Sequence, residues 1–354
     1  NQIRKFTQAE LEPISSEVDK NDVFPVEIIK KLSDLGFSSL IIPEVYGGAA
    51  LDTTSLCIVL EELSKSCASV GLILAVNNCL VAFPIIKYAT EEKKKDYLSK
   101  LSQGQIGAYI TPPDLDESIK KLNTEKTDNA YIIKGKRDFV LNGEGANIFI
   151  MPLSVSNGNL LYIFEKNDIM FTKQNILGLK AAGIGSLEFK GFELTEELCS
   201  GLSEKADRIF KELRAYSNIG FAAVALGISE AAYDASVKYS KERRQFKRAI
   251  CEFPMVQEML VHMKTKIDAG RLLVYEAAKK YDMDQDYALS AHIARLHITE
   301  TAVSSGIEAV QIYGGYGYTK DYPVERYLRD AKSLQLLAET PYDLKSTIVK
   351  ELLQ

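Results

Sequence analysis

The sequence predicts a multi-domain α+β protein in three consecutive parts: helical over residues 1–105, β-rich over 106–200 and helical again over 201–354. Three observations predict it. Apolar residues recur at helical spacing in the first part, and short β-branched and aromatic runs alternate with turn signals in the middle. A seam of Val256, Leu260, Met263, Ile267, Gly270, Val274 and Ala277, at alternating intervals of four and three, runs through the last part. At about 150 residues per domain, two or three domains are expected, and such a chain buries enough core to need neither disulfide nor metal.

In the first part, Pro25–Leu35 places Val26, Ile29, Leu32 and Leu35 on one helical face, and Gly36 supplies the stop. Ser55–Ser64 and Val70–Ile86 read as further helices. Thr90 is the candidate N-cap of a helix over Ala89–Leu98, with Glu91 and Glu92 opposing its positive end. In the middle part, Ile106–Thr111, Ala130–Lys134, Arg137–Leu141, Ile148–Met151, Leu160–Phe164 and Leu187–Phe192 read as strands. Asn142-Gly143 and Asn157-Gly158 read as turns, and the set predicts a small antiparallel barrel or sandwich. In the last part the seam suits a long bundle helix, flanked by helices over about 204–241 and 284–313 and followed by one over about 341–353.

Lys and Arg number 43 against 48 Asp and Glu, a net charge of −5, so the chain lacks the broad basic field that nucleic acid binding draws on. Five scattered cysteines, Cys57, Cys67, Cys79, Cys199 and Cys251, form no C-x-x-C pair and read as reduced thiols of a cytoplasmic protein. No apolar run approaches about 18 residues, so no membrane span is expected. The polar start, Asn1–Phe6, carries no secretory signal and reads as mid-helix, so further residues are expected upstream.

His262, His292 and His297 make no H-E-x-x-H pattern, so no metal site is expected. There is no nucleophile elbow, no P-loop and no G-x-G-x-x-G after a strand, and Gly183-Ile184-Gly185 reads as a turn. Two segments are more specific: KERRQFKRAICEFPMV (Lys241–Val256) and QIYGGYGY (Gln311–Tyr318), the latter followed by YPVERYLRDAK (Tyr322–Lys332). Glycines between helices let a backbone approach a ligand closely, and nearby arginines can pair with phosphate. The plain alternative is a helix-to-helix loop with surface arginines.

The order of these segments resembles the acyl-CoA dehydrogenase family along almost the whole chain. The resemblance adds IIPEVYGGAALD (Ile41–Asp52), YATEEKKKDYLSKLSQG (Tyr88–Gly104), KGKRDFVLNG (Lys134–Gly143), LGLKAAGIGSLEFKGFEL (Leu177–Leu194) and ALGISEAAYDASVKYSKERRQF ahead of the two segments above. It implies an N-terminal α-helical domain, a middle antiparallel β-barrel and a C-terminal four-helix bundle. It also implies bound FAD, usually a homotetramer, and α,β-dehydrogenation of an acyl-CoA or acyl-carrier-protein thioester, with an electron-transferring flavoprotein as acceptor. In that reaction a carboxylate takes the α-proton, the flavin takes a β-hydride, and the thioester carbonyl is hydrogen-bonded as charge develops.

The resemblance carries over to single positions. Arg243 and Phe246 match the R-x-x-F pair, and Gln311, Gly314 and Gly315 the Q-x-x-G-G loop, which serve the FAD of a neighbouring subunit. Thr111 and Thr340 match threonines that contact FAD, and Phe139 stands where the family has a tryptophan near the flavin. The departures are specific. TPPDLDES (Thr111–Ser118) puts Asp116 and Glu117 where the family has a small glycine–serine turn beside phosphate, Leu141 replaces a threonine and Pro254 a glutamine. The catalytic glutamate of the Tyr-Glu-Gly-Thr loop falls on Ala338, and its glycine on Glu339. The position of the base in other members, on an earlier helix, is Ser217, with Asn218 in place of an arginine. Glu339 is therefore the candidate catalytic base. Neighbouring helical residues lie about 100° apart, so the loop must be rebuilt for it to serve. Two other readings stay open. One is a catalytically silent subunit of a hetero-oligomer with an active paralogue. The other is reuse of the fold for carrier-protein-bound substrates or for flavin monooxygenase chemistry, the last needing no α-proton base.

Overall fold

Short helices fill the N-terminal part of the computed structural model, which describes residues 2–111, 122–127, 130–155, 158–166, 169–195 and 206–353. Asp116, Glu117, Asn157 and Cys199 lie outside these residues. The helices are α1 (Gln2–Phe6), α2 (Ser15–Asn21), α3 (Val26–Asp34), α4 (Thr53–Ser66), α5 (Ala68–Ala75), α6 (Phe83–Tyr88), α7 (Glu91–Lys93) and α8 (Ser99–Ser102). The buried face of α3 is Ile28, Ile29 and Leu32, while Val26 and Leu35 are exposed, a rotation of the expected stripe. Gly36 ends it at φ +80°, a left-handed conformation that glycine adopts without steric cost. Thr90 caps α7 by accepting from Lys93 N at 3.4 Å.

A wider helical turn over Val76–Ala82 joins α5 to α6. The resulting helix, Ala68–Tyr88, is 21 residues long with a mean hydropathy of 2.0, so by length and composition the chain does contain a segment able to cross a bilayer, contrary to the expectation from sequence. Unbroken apolar runs are interrupted by Asn77 and Asn78, but a mean over 18 residues is not. Of its apolar 18-residue stretch 94% is buried within the protein, where it serves as the central core helix. Its two asparagines are satisfied inside: Asn77 accepts from Gly107 N at 2.8 Å and donates to Ser38 O at 2.9 Å, and Asn78 donates to Leu74 O at 2.9 Å.

The middle part forms one seven-stranded sheet: β1 (Gly107–Ile110), β2 (Asn123–Lys126), β3 (Tyr131–Leu141), β4 (Ile148–Val155), β5 (Gly158–Glu165), β6 (Met170–Lys173) and β7 (Gly185–Leu194). The order is β5-β4-β1-β3-β7-β6, with β2 added on β3. Two differences from expectation stand out. The two runs at 130–141 are one strand passing through Gly135 at φ +131°, and β1 pairs β4 in parallel, Ala108 opposite Phe149, so the sheet is mixed.

Long helices follow: α9 (Ala206–Glu242), α10 (Pro254–Asp282), α11 (Ala288–Tyr313), α12 (Val324–Leu336) and α13 (Pro341–Leu352). A short hairpin of β8 (Arg244–Gln245) and β9 (Arg248–Ala249) sits between α9 and α10. The seam of α10 is buried at Met263, Ile267, Gly270, Val274 and Ala277. A Cβ on Gly270 would lie 2.5 Å from Ile298 Cδ1, which is why glycine sits where α10 meets α11. The bundle is tied to the other two parts by polar contacts. Asp282 accepts from Thr53 N and Thr54 N at 2.8 and 2.9 Å, covering the N-terminus of α4. Leu179 N donates to Asp330 Oδ1 at 2.6 Å and Gly178 N to Ser333 Oγ at 2.9 Å, seating the loop before β7 on α12.

Candidate active site

Three groupings hold the residues singled out from sequence. The first surrounds the loop from α12 to α13. Glu339 is 7% exposed, and its carboxylate is committed on both oxygens. Oε1 pairs with the guanidinium of Arg214, and Oε2 accepts from Asn218 Nδ2 at 2.8 Å. Asn218 faces His292 Nδ1 at 3.0 Å and accepts on Oδ1 from Arg295 Nη1 at 3.1 Å. Arg295 is fully buried, lies 4.7 Å from the Phe221 ring centre, and donates through Nη2 to Leu334 O and Leu337 O at 3.1 and 2.8 Å. It thereby adds a charged second donor to two carbonyls at the end of α12 that also accept from Leu337 N and Glu339 N.

Burial pushes the Arg295 guanidinium down to about 10 against the opposing pull of Glu339. Burial likewise lowers His292 to about 4, again against Glu339 and with Arg214 and Arg295 adding to the shift. A neutral imidazole accepting from Asn218 on Nδ1 carries its proton on Nε2, which lies 3.4 Å from a Glu351 carboxylate oxygen. Between Leu337 and Glu339 the chain makes a three-residue turn, Glu339 N donating to Leu337 O at 2.8 Å, with Ala338 exposed at φ +63°. Ser217 turns back into its own helix, donating to Arg214 O at 2.9 Å. Thr340 caps α13: its hydroxyl and N–H both donate to Asp343 Oδ2, at 2.6 and 2.8 Å, and its oxygen accepts from Asp343 N.

The second grouping is Thr111 with Phe139. Thr111 donates its hydroxyl to Phe139 O at 3.1 Å. Phe139 sits at φ +57°, where the register of β3 against β7 shifts between Arg137 and Val140, and its ring is half exposed. A bulky residue in the left-handed region at a bulge is held there by its surroundings at a cost of about 1–3 kcal/mol, and bulges re-aim side chains next to functional sites.

The third grouping is a cavity of about 470 Å³ at the end of α9 and the loop after α11, lined by Tyr239, Arg243, Gln245, Gly314, Gly315 and Tyr316 among others. Gly314 adopts φ +60°, and a Cβ on Gly314 or Gly315 would meet nothing within 4 Å, so the glycine backbone faces open space. Among the described residues no carboxylate pairs with Arg243, whose guanidinium lies 5.7 Å from the Tyr316 ring centre. Phe246 and Gln311 are exposed beside this cavity rather than in its lining. An aromatic wall that the sequence reading missed completes it, with Tyr239 stacked on Tyr313 at 3.9 Å. Its signal is the tyrosine density of QIYGGYGY itself. An open glycine backbone, an unpaired guanidinium and stacked rings fit a nucleotide-bearing cofactor. Among the described residues no group of three His, Cys, Asp or Glu is placed to hold a metal.

The N-terminal domain description of acyl-CoA dehydrogenases matches residues 1–105, and the C-terminal domain description matches residues 209–340. The chain is 35% identical to the short-chain specific acyl-CoA dehydrogenase of Clostridium acetobutylicum, covering 96% of this chain and 92% of the relative. Among solved structures, butyryl-CoA dehydrogenase from Megasphaera elsdenii superposes with a TM-score of 0.93 at 31% identity, covering 99% of this chain and 96% of that one. The prolyl acyl carrier protein oxidase AnaB superposes at 0.92 with 27% identity, covering 99% of this chain and 97% of that one. The helical, sheet and bundle parts in this order define a flavoprotein oxidoreductase scaffold. The chain belongs to the acyl-CoA dehydrogenase family.

Proposed function

We propose that the protein is an FAD-dependent oxidoreductase that α,β-dehydrogenates an acyl thioester. The observation that carries this reading is the cavity at Arg243, Gly314 and Gly315, in a chain that matches the family from end to end. Arg243, Phe246, Gln311, Gly314 and Gly315 would hold the FAD of a neighbouring subunit, and Thr111, Phe139 and Thr340 that of the chain itself. FAD, when bound, supplies the acceptor for the β-hydride. The protein's part is to bind and orient the thioester, to exclude water and to manage the α-proton. The substrate carrier is CoA or an acyl carrier protein, the electron acceptor an electron-transferring flavoprotein, the assembly a homotetramer and the compartment the cytoplasm.

Anaerobic titration of the purified flavoprotein with a panel of acyl-CoA and acyl-carrier-protein thioesters tests this reading. Bleaching of the flavin absorbance by at least one saturated thioester is expected. A flavin-loaded protein that no member of the panel bleaches sinks it.

One observation favours a second reading, a silent subunit paired with an active paralogue. The two positions that carry the base elsewhere in the family hold Ala338 and Ser217, while the neighbour-serving cavity is intact. FAD retention only on co-expression with a paralogue would establish that reading.

A further inference from the structure

We propose that Glu339 is a positioning residue rather than the proton acceptor: with Asn218 and Arg295 it forms a clasp that fixes the α12–α13 loop and presents residue 338 at its tip. The inference rests on the dehydrogenase reading for its activity arm and on geometry for the clasp itself. A base needs a lone pair aimed at the proton it removes. Glu339 instead places both oxygens on protein donors, Arg214 and Asn218, at 7% exposure. Swinging it outward strands one amide proton of Asn218, itself 1% exposed, with no acceptor. It also removes the carboxylate that pairs with Arg214 and offsets the buried charge of Arg295.

The clasp grips the loop at two points. Arg295 holds the backbone carbonyls of Leu334 and Leu337, and Glu339 reaches back to α9. Asn218 links the two arms, since its oxygen accepts from Arg295 while its amide nitrogen donates to Glu339. Between the gripped residues the turn exposes Ala338. Residues 338 and 339 therefore look opposite ways, one outward and one into the bundle, and the outward one is the position at which the family resemblance implies a carboxylate.

The test uses the full-length flavin-loaded chain and four forms: wild type, E339Q, A338E and the double variant A338E/E339A. Backbone amide exchange over 334–341 and FAD content are measured for each, alongside the rate of flavin reduction by the thioester panel. E339Q is expected to speed loop exchange about tenfold or more and to keep the shape of the pH profile of reduction. A338E is expected to raise the reduction rate about 100-fold or more, the scale of a positioned general base. The double variant should lose that gain while retaining FAD, because residue 338 is no longer held in place. E339Q with ordinary loop exchange overturns the clasp whatever the activity. A loss of reduction beyond about 1,000-fold in E339Q, with exchange unchanged, makes Glu339 the base. If no form is bleached by any thioester, the dehydrogenase reading fails and loop exchange alone decides the clasp.

Discussion

The amide oxygen of Asn218 accepts a hydrogen bond from Arg295 at 3.1 Å in the core of the bundle, joining α9 to α11 beside the loop that follows α12. Arg295 makes three hydrogen bonds there, to Asn218, Leu334 and Leu337. Replacing it with methionine keeps volume but leaves the buried Asn218 oxygen without its donor, takes the charged second donor from two helix-end carbonyls and removes a cation that offsets the charge of Glu339. Removing one partner from such a buried network costs about 3 kcal/mol or more. Denaturant unfolding of Arg295→Met should show a loss of that size, and a change below about 1 kcal/mol refutes the account.

His292 makes stability depend on pH in a definite direction. Its folded value, about 4, lies below the ordinary 6.5 because of burial. The unfolded chain therefore takes up the proton first as pH falls. The contribution of neutral His292 is complete above about 6.5 and is lost progressively down to about 4, on the order of 3 kcal/mol in all. Protonation would put an N–H on Nδ1 against the amide of Asn218. His292→Gln should flatten the stability profile between pH 4 and 6.5, and an unchanged slope counts against this assignment.

Asp330 works in the opposite sense. Burial raises it from 3.8 to about 6, opposed by the hydrogen bond from Leu179 N and by Arg326. The folded state holds this proton more tightly than the unfolded chain. The stabilisation is present below about 3.8 and is lost as pH rises through 6. Asparagine keeps an acceptor for Leu179 N without the buried charge. Asp330→Asn should therefore be more stable than wild type at pH 7 by about 2–3 kcal/mol, the advantage vanishing below pH 4. Equal stability at pH 7, measured by denaturant unfolding, would contradict it.

How much of this was legible in the sequence depended on how local each feature is. The α10 seam is an intrahelical pattern, and five of its seven members are buried as the spacing demands. Strands β2 (NTEK) and β6 (MFTK) escaped because they are four-residue runs whose pattern is polar or half-exposed. The parallel pairing of β1 with β4 is invisible to turn signals, which report only neighbouring strands. The polar network of α11 leaves a signal in the sequence. His292, Arg295 and Thr299 recur at intervals of three and four among buried apolar residues of this helix, and buried polar groups are hydrogen-bonded to something. Which partner they meet is set by α9 and the α12–α13 loop, and no single segment encodes that.

The loop before β7 meets α12 so closely that a side chain is excluded. A Cβ on Gly178 would lie 2.3 Å from the Arg329 carbonyl carbon and 2.4 Å from its oxygen. These are backbone atoms of a helix and cannot step aside as a flexible side chain would. Gly178→Ala should cost about 3 kcal/mol through overpacking and loss of the adjacent bonds to Ser333 and Asp330. A melting temperature within a degree or two of wild type would show that the seating is looser than these distances say.

Gly315 separates folding from cofactor binding. Nothing lies within 4 Å of the Cβ that a substitution would add, and its backbone lacks the left-handed conformation of Gly314. Gly315→Leu should therefore leave the unfolding midpoint of the flavin-free chain within about 0.5 kcal/mol of wild type, as exposed substitutions do. The same side chain would project into the cavity lined by Arg243 and Tyr316. If that cavity holds the FAD of a neighbouring subunit, the variant loses FAD and falls to a smaller assembly, read together by flavin absorbance and sedimentation. Full FAD retention in an intact assembly would remove this cavity from the cofactor site and leave Thr111 and Phe139 as the residues to examine.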